Sequence, residues 1–169
     1  MATIFIGGDH AGFKLKEKLI SFLEDSEHEV VDKGPYEFDK DDDYPDFCAE
    51  VAIAVGDFPE ENRGIVIGGG GQGEAMVANR FPGVRATVFY GPRQAVEAVD
   101  IEGKKSDDPY EGVRLTREHN NANIISFGAR FVSEDEAKRA IEIFLETEFS
   151  GEERHTRRIK KIDSIFEKK

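Results

Sequence analysis

Between Gly64 and Arg80 an apolar run, Ile65, Val66 and Ile67, leads into Gly68, Gly69, Gly70, Gly71, Gln72 and Gly73, and the acid Glu74 follows as the expected first residue of a short helix. Glycines after a strand let backbone N–H groups turn toward a negative atom without side-chain obstruction, and a helix start adds partial positive charge. The N–H groups of Gly70, Gly71, Gln72, Gly73 and Glu74 thus form a candidate anion hole with a carboxylate beside it. A carboxylate is a poor neighbour for phosphate, so Glu74 reads as a base placed where an anion forms during a reaction. The plain alternative is a glycine-rich loop that merely turns.

A second group is Asp9-His10-Ala11-Gly12. A carboxylate touching an imidazole can orient or charge it, and histidine handles protons or binds phosphate near neutral pH. Asp9 also suits the cap of a helix beginning near Ala11, a use that does not exclude the first. Arginines form a third group: Arg130 stands alone, while Arg154, Arg157 and Arg158 cluster near the C-terminus. Guanidinium groups grip phosphate oxygens through paired N–H bonds. A solvated positive face offsetting Glu152 and Glu153 would give the same pattern.

These residues need elements to hold them. Thr3 to Ile6, Val30 and Val31, Ile65 to Ile67, Val84 to Phe89 and Ile124 to Phe127 read as five strands. Between them Leu15, Leu19, Phe22 and Leu23, and then Phe47, Val51 and Val55, recur at helical spacing. Ser133 with Glu136 has the form of a capping box that opens a helix to about Thr147, with Ala137, Ile141, Phe144 and Leu145 facing inward. A last helix is expected from about Glu153 to Phe166. Strands joined by helices are parallel, with helices on both faces, which makes this an α/β chain. In such sheets ligands bind at the carboxyl ends of the strands. That rule makes Asp9, His10, Glu74 and the segment after Phe127 neighbours.

The 169 residues carry a formal charge of −12, which argues against a nucleic-acid or anionic-membrane surface. A small anion can still bind, because beyond about 8 Å the net charge is screened and local arginines decide. The one cysteine, Cys48, has no partner for an internal disulfide, and no segment reads as a signal peptide or membrane span. The expectation is a cytoplasmic protein of one domain spanning residues 1–169. Asp39 to Asp43 is an acidic patch short enough to be a loop.

Taken in order, Asp9-His10-Ala11-Gly12-Phe13, Asp43-Tyr44-Pro45-Asp46, the glycine-rich loop, Ala78-Asn79, Glu118-His119-Asn120, Gly128-Ala129-Arg130 and Arg154-His155 resemble the ribose-5-phosphate isomerase B and galactose-6-phosphate isomerase family. The resemblance implies a three-layer α/β/α sandwich with a five-stranded parallel Rossmann-like sheet and a C-terminal helical arm. It implies interconversion of an aldose phosphate and a ketose phosphate, most often ribose 5-phosphate and ribulose 5-phosphate, with no metal and no organic cofactor. It makes Glu74, His119 and Asp9 the catalytic residues: His119 assists ring opening and Asp9 contacts the sugar. His10, Tyr44, Gly69, Asn120, Arg130, Arg154 and Arg158 match positions that hold substrate or phosphate, whereas Arg157 has no such match; His155 could be structural. The implied assembly is a homodimer, or a dimer of dimers, in which the arm crosses to a second subunit. Ile159, Ile162 and Phe166 form an apolar stripe compatible with that crossing or with packing inside one chain.

Three departures stand out. Gly68 occupies the position of a cysteine base, and in the subgroup that lacks this cysteine a glutamate at the position of Glu74 is the base. Gly70 replaces a threonine or serine whose hydroxyl moves protons between substrate oxygens. A stretch at about 99–114 reads as an insertion, a surface loop in preference to a lid over substrate. Isomerisation of a four- or six-carbon sugar phosphate, or sugar-phosphate binding without catalysis, are the alternative functions.

Overall fold

The computed structural model describes residues 2–25 and 28–165. Strands β1 (Thr3–Gly8), β2 (Glu29–Asp32), β3 (Arg63–Gly68), β4 (Ala86–Phe89) and β5 (Ile124–Gly128) are interleaved with helices α1 (Phe13–Glu24), α2 (Tyr44–Asp57), α3 (Gln72–Ala78), α4 (Glu111–Asn120), α5 (Glu134–Glu146) and α6 (Glu153–Asp163). The five strands form one sheet in the order β2-β1-β3-β5-β4, every pair parallel. This is the expected α/β architecture.

Side chains alternate across a strand, so β3 sends Ile65 and Ile67 to one face and Val66 to the other. The first face buries them with Ile4, Ile6, Leu19, Ile125, Phe127, Ile141 and Phe144, beneath α1 and α5. The second packs Val66 with Cys48, Val51, Val55, Ala78 and Ile124, beneath α2 and α3. Truncating a fully buried member such as Leu19 to alanine costs about 2–5 kcal/mol. The capping box opens α5 as expected: Ser133 Oγ accepts from the Glu136 N–H at 3.3 Å, and Glu136 Oε2 accepts from the Ser133 N–H at 2.8 Å. Leu145 is only half-buried.

Several boundaries differ from expectation for local reasons. The α1 helix starts at Phe13 because Asp9 Oδ1 accepts from the N–H groups of Ala11 (2.9 Å) and Gly12 (3.1 Å), closing a turn first. Gly71, at φ 83°, swings the chain into α3 at Gln72, so Glu74 is the third helical residue and not the first. β4 begins at Ala86 rather than Val84, since the Arg85 N–H donates to Asn123 Oδ1 at 2.8 Å. The last helix ends at Asp163, and Phe166 lies outside the described residues. Of the stretch 99–114, residues through Tyr110 are loop, folded about Asp100 Oδ1, while Glu111 onward is the first turn of α4 with Val113 buried. Among the described residues no helix is long and apolar enough to cross a membrane.

Candidate active site

The chain runs from β1 outward to β2 and then returns past β1 to β3, so the exit loops of β1 and β3 diverge side by side. Such a reversal opens a crevice at the carboxyl ends of the strands. The two loops are tied there by the Asp9 N–H donating to the Ile67 carbonyl at 3.1 Å. On the other side the glycine loop is stapled to the β5 exit: Ala129 N–H donates to the Gly68 carbonyl (2.8 Å) and Ser126 Oγ to the Gly71 carbonyl (2.7 Å).

Glu74 folds back into this crevice and is 4% exposed. A β-carbon built on Gly68 would lie 1.5 Å from Glu74 Oε1, so the carboxylate occupies the volume that a side chain at 68 would need. Burial pushes the Glu74 carboxyl above its ordinary value, and the nearby Asp9 charge adds to the rise. Hydrogen bonds from the N–H groups of Glu74 itself and Gly71 oppose it. Two of the five expected anion-hole donors therefore face this carboxylate, while the N–H groups of Gly70, Gln72 and Gly73 have no acceptor among the described residues. A β-carbon on Gly70 would meet Gln72 Oε1 at 2.3 Å, so the Gln72 amide stands where a residue-70 side chain would be. Tyr44, at the start of α2, lays its ring against Gly73: a β-carbon there would sit 2.9 Å from the phenol oxygen.

Around this acid stand His10, Asp9 and Arg130. The histidine does not pair with Asp9 as its sequence neighbour; its carboxylate partner is Asp42, with Nδ1 2.6 Å from Asp42 Oδ1. Asp9 is spent on the turn through Oδ1, and its Oδ2 has no hydrogen bond among the described residues. The Arg130 guanidinium lies over Gly69, whose added β-carbon would be 3.1 Å from Cζ, and it makes no ion pair or hydrogen bond among the described residues. Asp9, His10 and Asp42 bring ligating atoms within 4.8 Å of one another, and the 2.6 Å contact between His10 Nδ1 and Asp42 Oδ1 is within hydrogen-bond distance.

His119, Asn120, Arg154 and Arg158 are elsewhere. The α4 helix ends at Asn120 just before β5 begins, and β5 starts beside Gly64 and finishes beside Gly68. His119 thus lies at the amino-terminal edge of the sheet, separated from Glu74 by the length of a five-residue strand, about 13 Å. There it stacks on His155, with ring centroids 4.2 Å apart and planes inclined by 10°. Burial lowers the His155 pKa, and His119, Arg154 and Arg158 lower it further against the opposing charge of Glu152. Arg154 Nε lies 2.8 Å from Glu152 Oε2 but out of line for a hydrogen bond, Arg158 has no ion pair among the described residues, and Arg157 is held by Glu153. One chain therefore carries two separate clusters, Asp9/His10/Tyr44/Gly69/Glu74/Arg130 and His119/Asn120/Arg154/Arg158. Sequence order gave no sign of Asp42, which sits inside a run of otherwise exposed acids.

A groove of about 530 Å³ runs along the open β4 edge, lined by Asn79, Ala86, Thr87, Asn120, Ile162 and Ile165 among others. It does not contain Glu74; its lining is mostly apolar, and the Ile162 and Ile165 side chains that border it are exposed.

Comparison with known proteins bears on the family and the fold. The family model described as Ribose/Galactose Isomerase matches residues 4–103 and 108–162. A ribose-5-phosphate isomerase B of Mycolicibacterium paratuberculosis is 38% identical over 156 residues, covering 92% of this chain and 86% of the relative. That of Escherichia coli is 33% identical over 169 residues, covering 100% and 99%. The crystal structure of ribose-5-phosphate isomerase B from Mycoplasma genitalium with bound ribulose-5-phosphate superposes with a TM-score of 0.85 at 35% identity, covering 99% of this chain and 97% of that one. The chain belongs to the ribose/galactose isomerase family.

Proposed function

We propose that this chain interconverts ribose 5-phosphate and ribulose 5-phosphate, with Glu74 as the base. The observation that carries the assignment is the Glu74 carboxylate lodged in the space left by Gly68, buried and with its pKa raised. Glu74 takes the proton from C2 of the open aldose, leaving an enediolate; the O2 hydroxyl proton passes to O1, and Glu74 returns the carbon proton to C1, giving the C2 ketone. A raised pKa brings the acid toward the operating pH, where proton transfer is most effective. The N–H groups of Gly70, Gln72 and Gly73 receive the developing oxyanion. One such donor is worth about 2.7–4 kcal/mol in other enzymes.

The phosphate end is held by His10 and Arg130, and by Arg154 and Arg158 of a second copy, whose His119 opens the furanose ring and whose Asn120 contacts substrate. The separation of the two clusters across the sheet supports a shared site. The open β4 edge and its apolar groove offer a surface for the partner. The reading is a homodimer that works without metal or organic cofactor, in the cytoplasm, on residues 1–169 as one domain.

A coupled isomerase assay over aldose phosphates of four, five and six carbons tests the proposal. Turnover is expected to be greatest on ribose 5-phosphate. Preference for a four- or six-carbon substrate would reassign the substrate, and tight binding without turnover of any would reduce the protein to a sugar-phosphate binder.

A further inference from the structure

Asp42 belongs to a turn, Asp39 to Asp42, whose other acids face water, yet its own side chain is only 7% exposed. Its Oδ1 accepts twice from one residue, from the His10 backbone N–H at 3.0 Å and from His10 Nδ1 at 2.6 Å. Its Oδ2 is buried with no hydrogen-bond partner among the described residues. Leaving a buried carboxylate oxygen unsatisfied opposes folding. The double contact fixes both the position and the rotation of the imidazole. Nε2, on the far side of the ring from Nδ1, has no partner among the described residues, and the ring lies near enough to Arg130 to feel its charge.

We infer that Asp42 is a positioning residue for the reaction: its carboxylate holds the His10 ring with a proton on Nδ1 and presents Nε2–H, as a fixed cationic donor, to the anionic end of the substrate. This rests on the reading of the crevice as a sugar-phosphate site. The charged groups facing His10 are Asp42 on the loop before α2, Asp9 on the turn after β1, and Arg130 after β5. The hydrogen bond to Asp42 raises the His10 pKa above its ordinary 6.5, Asp9 adds to the rise, and burial and Arg130 oppose it. A raised pKa keeps the cation, and hence the anion affinity, present below the ordinary value and loses it only as pH climbs through the folded one. Asp42 therefore extends the pH range over which the site holds a phosphate.

The test is Asp42→Asn, which preserves shape and an acceptor but removes the charge. The His10 pKa is read by NMR titration of the ring, and inhibition by inorganic phosphate is measured between about pH 6 and pH 8. In the parent His10 should titrate above 6.5. In Asp42→Asn it should titrate lower, and phosphate should bind about tenfold or more weakly at the alkaline end, with little change at the acid end. Asp41→Asn, an equal change of charge on an exposed neighbour, should move neither. A parent His10 that titrates at or below 6.5 overturns the inference even if Asp42→Asn fails to fold. So does a loss of phosphate affinity in Asp42→Asn that is the same at every pH. Loss of turnover in both the variant and the parent would instead count against the proposed function, since the His10 titration is independent of it.

Discussion

Gly68 and Glu74 share one volume: the hydrogen-only side chain of the first is what admits the carboxylate of the second, with 1.5 Å separating the acid's oxygen from where a β-carbon would stand. A side chain at 68 and an inward Glu74 exclude each other. The departure at Gly68 and the acid six residues later are thus one structural feature.

Replacing the glycine tests that exclusion. In Gly68→Ala the atoms met are those of the flexible Glu74 side chain, so the fold survives and the acid is displaced. A misplaced base of this kind costs on the order of a hundredfold in kcat. Unchanged kcat would show that Glu74 works from another position. Gly68→Cys meets the same obstacle in a Glu74→Gln background, where the amide fills the same space, and should not restore full turnover. A Glu74→Ala background clears the volume for the thiol.

Glu74→Gln should lower kcat by on the order of 100- to 10,000-fold with KM little changed. It should also melt at a higher temperature than the parent at neutral pH. Because burial raises the Glu74 carboxyl above its ordinary 4.5, the folded state holds this proton more readily than the unfolded chain. Ionised Glu74 then opposes folding above its raised folded pKa, and the opposition vanishes as pH falls below the ordinary value, where both states are protonated. Melting curves across pH should show the two proteins converging on the acid side. A variant that melts lower at neutral pH would contradict the burial argument.

The elements were legible where local signals were strong. β3 announces itself as an apolar triplet between glycines, and Ser133 with Glu136 marks α5 because both halves of the cap lie within four residues. Long-range relationships were not legible. The bond from His10 to Asp42 joins residues 32 apart, and the charge run around Asp42 gives no hint that one member turns inward. The resemblance supplies candidate roles for His119 and Glu74, but only the sheet order reveals that one chain holds them at opposite edges. The delayed start of β4 depends on Asn123, which no local pattern around Val84 could disclose.

Arg130→Ala should raise KM by about ten- to a hundredfold and weaken inhibition by inorganic phosphate in parallel, as expected for loss of one charge-assisted contact. Arg157→Ala, whose guanidinium is held by Glu153 on its own helix, should leave both within a factor of about two. Equal effects of the two substitutions would show that the arginines act through general charge.

Glu74→Gln and His119→Ala, each inactive alone, should recover activity when unfolded and refolded together. In a two-fold dimer with shared sites, each mixed pair holds one site with both lesions and one with neither, so about a quarter of parental activity returns. Arg154→Ala in place of His119→Ala should behave alike. No recovery, with mixed dimers demonstrated by mass, would place each site within a single chain.

The placing of the two clusters on opposite edges of the sheet bears on substrate length. On the proposed shared site, part of the span of the sugar, from Glu74 at the reacting carbons to Arg154 and Arg158 of the partner copy at the phosphate, is measured across two molecules and is set by how the copies dock. A substitution along the β4 groove, such as Thr87 or Ile162, could then retune which carbon chain fits while leaving every residue that touches the sugar unaltered.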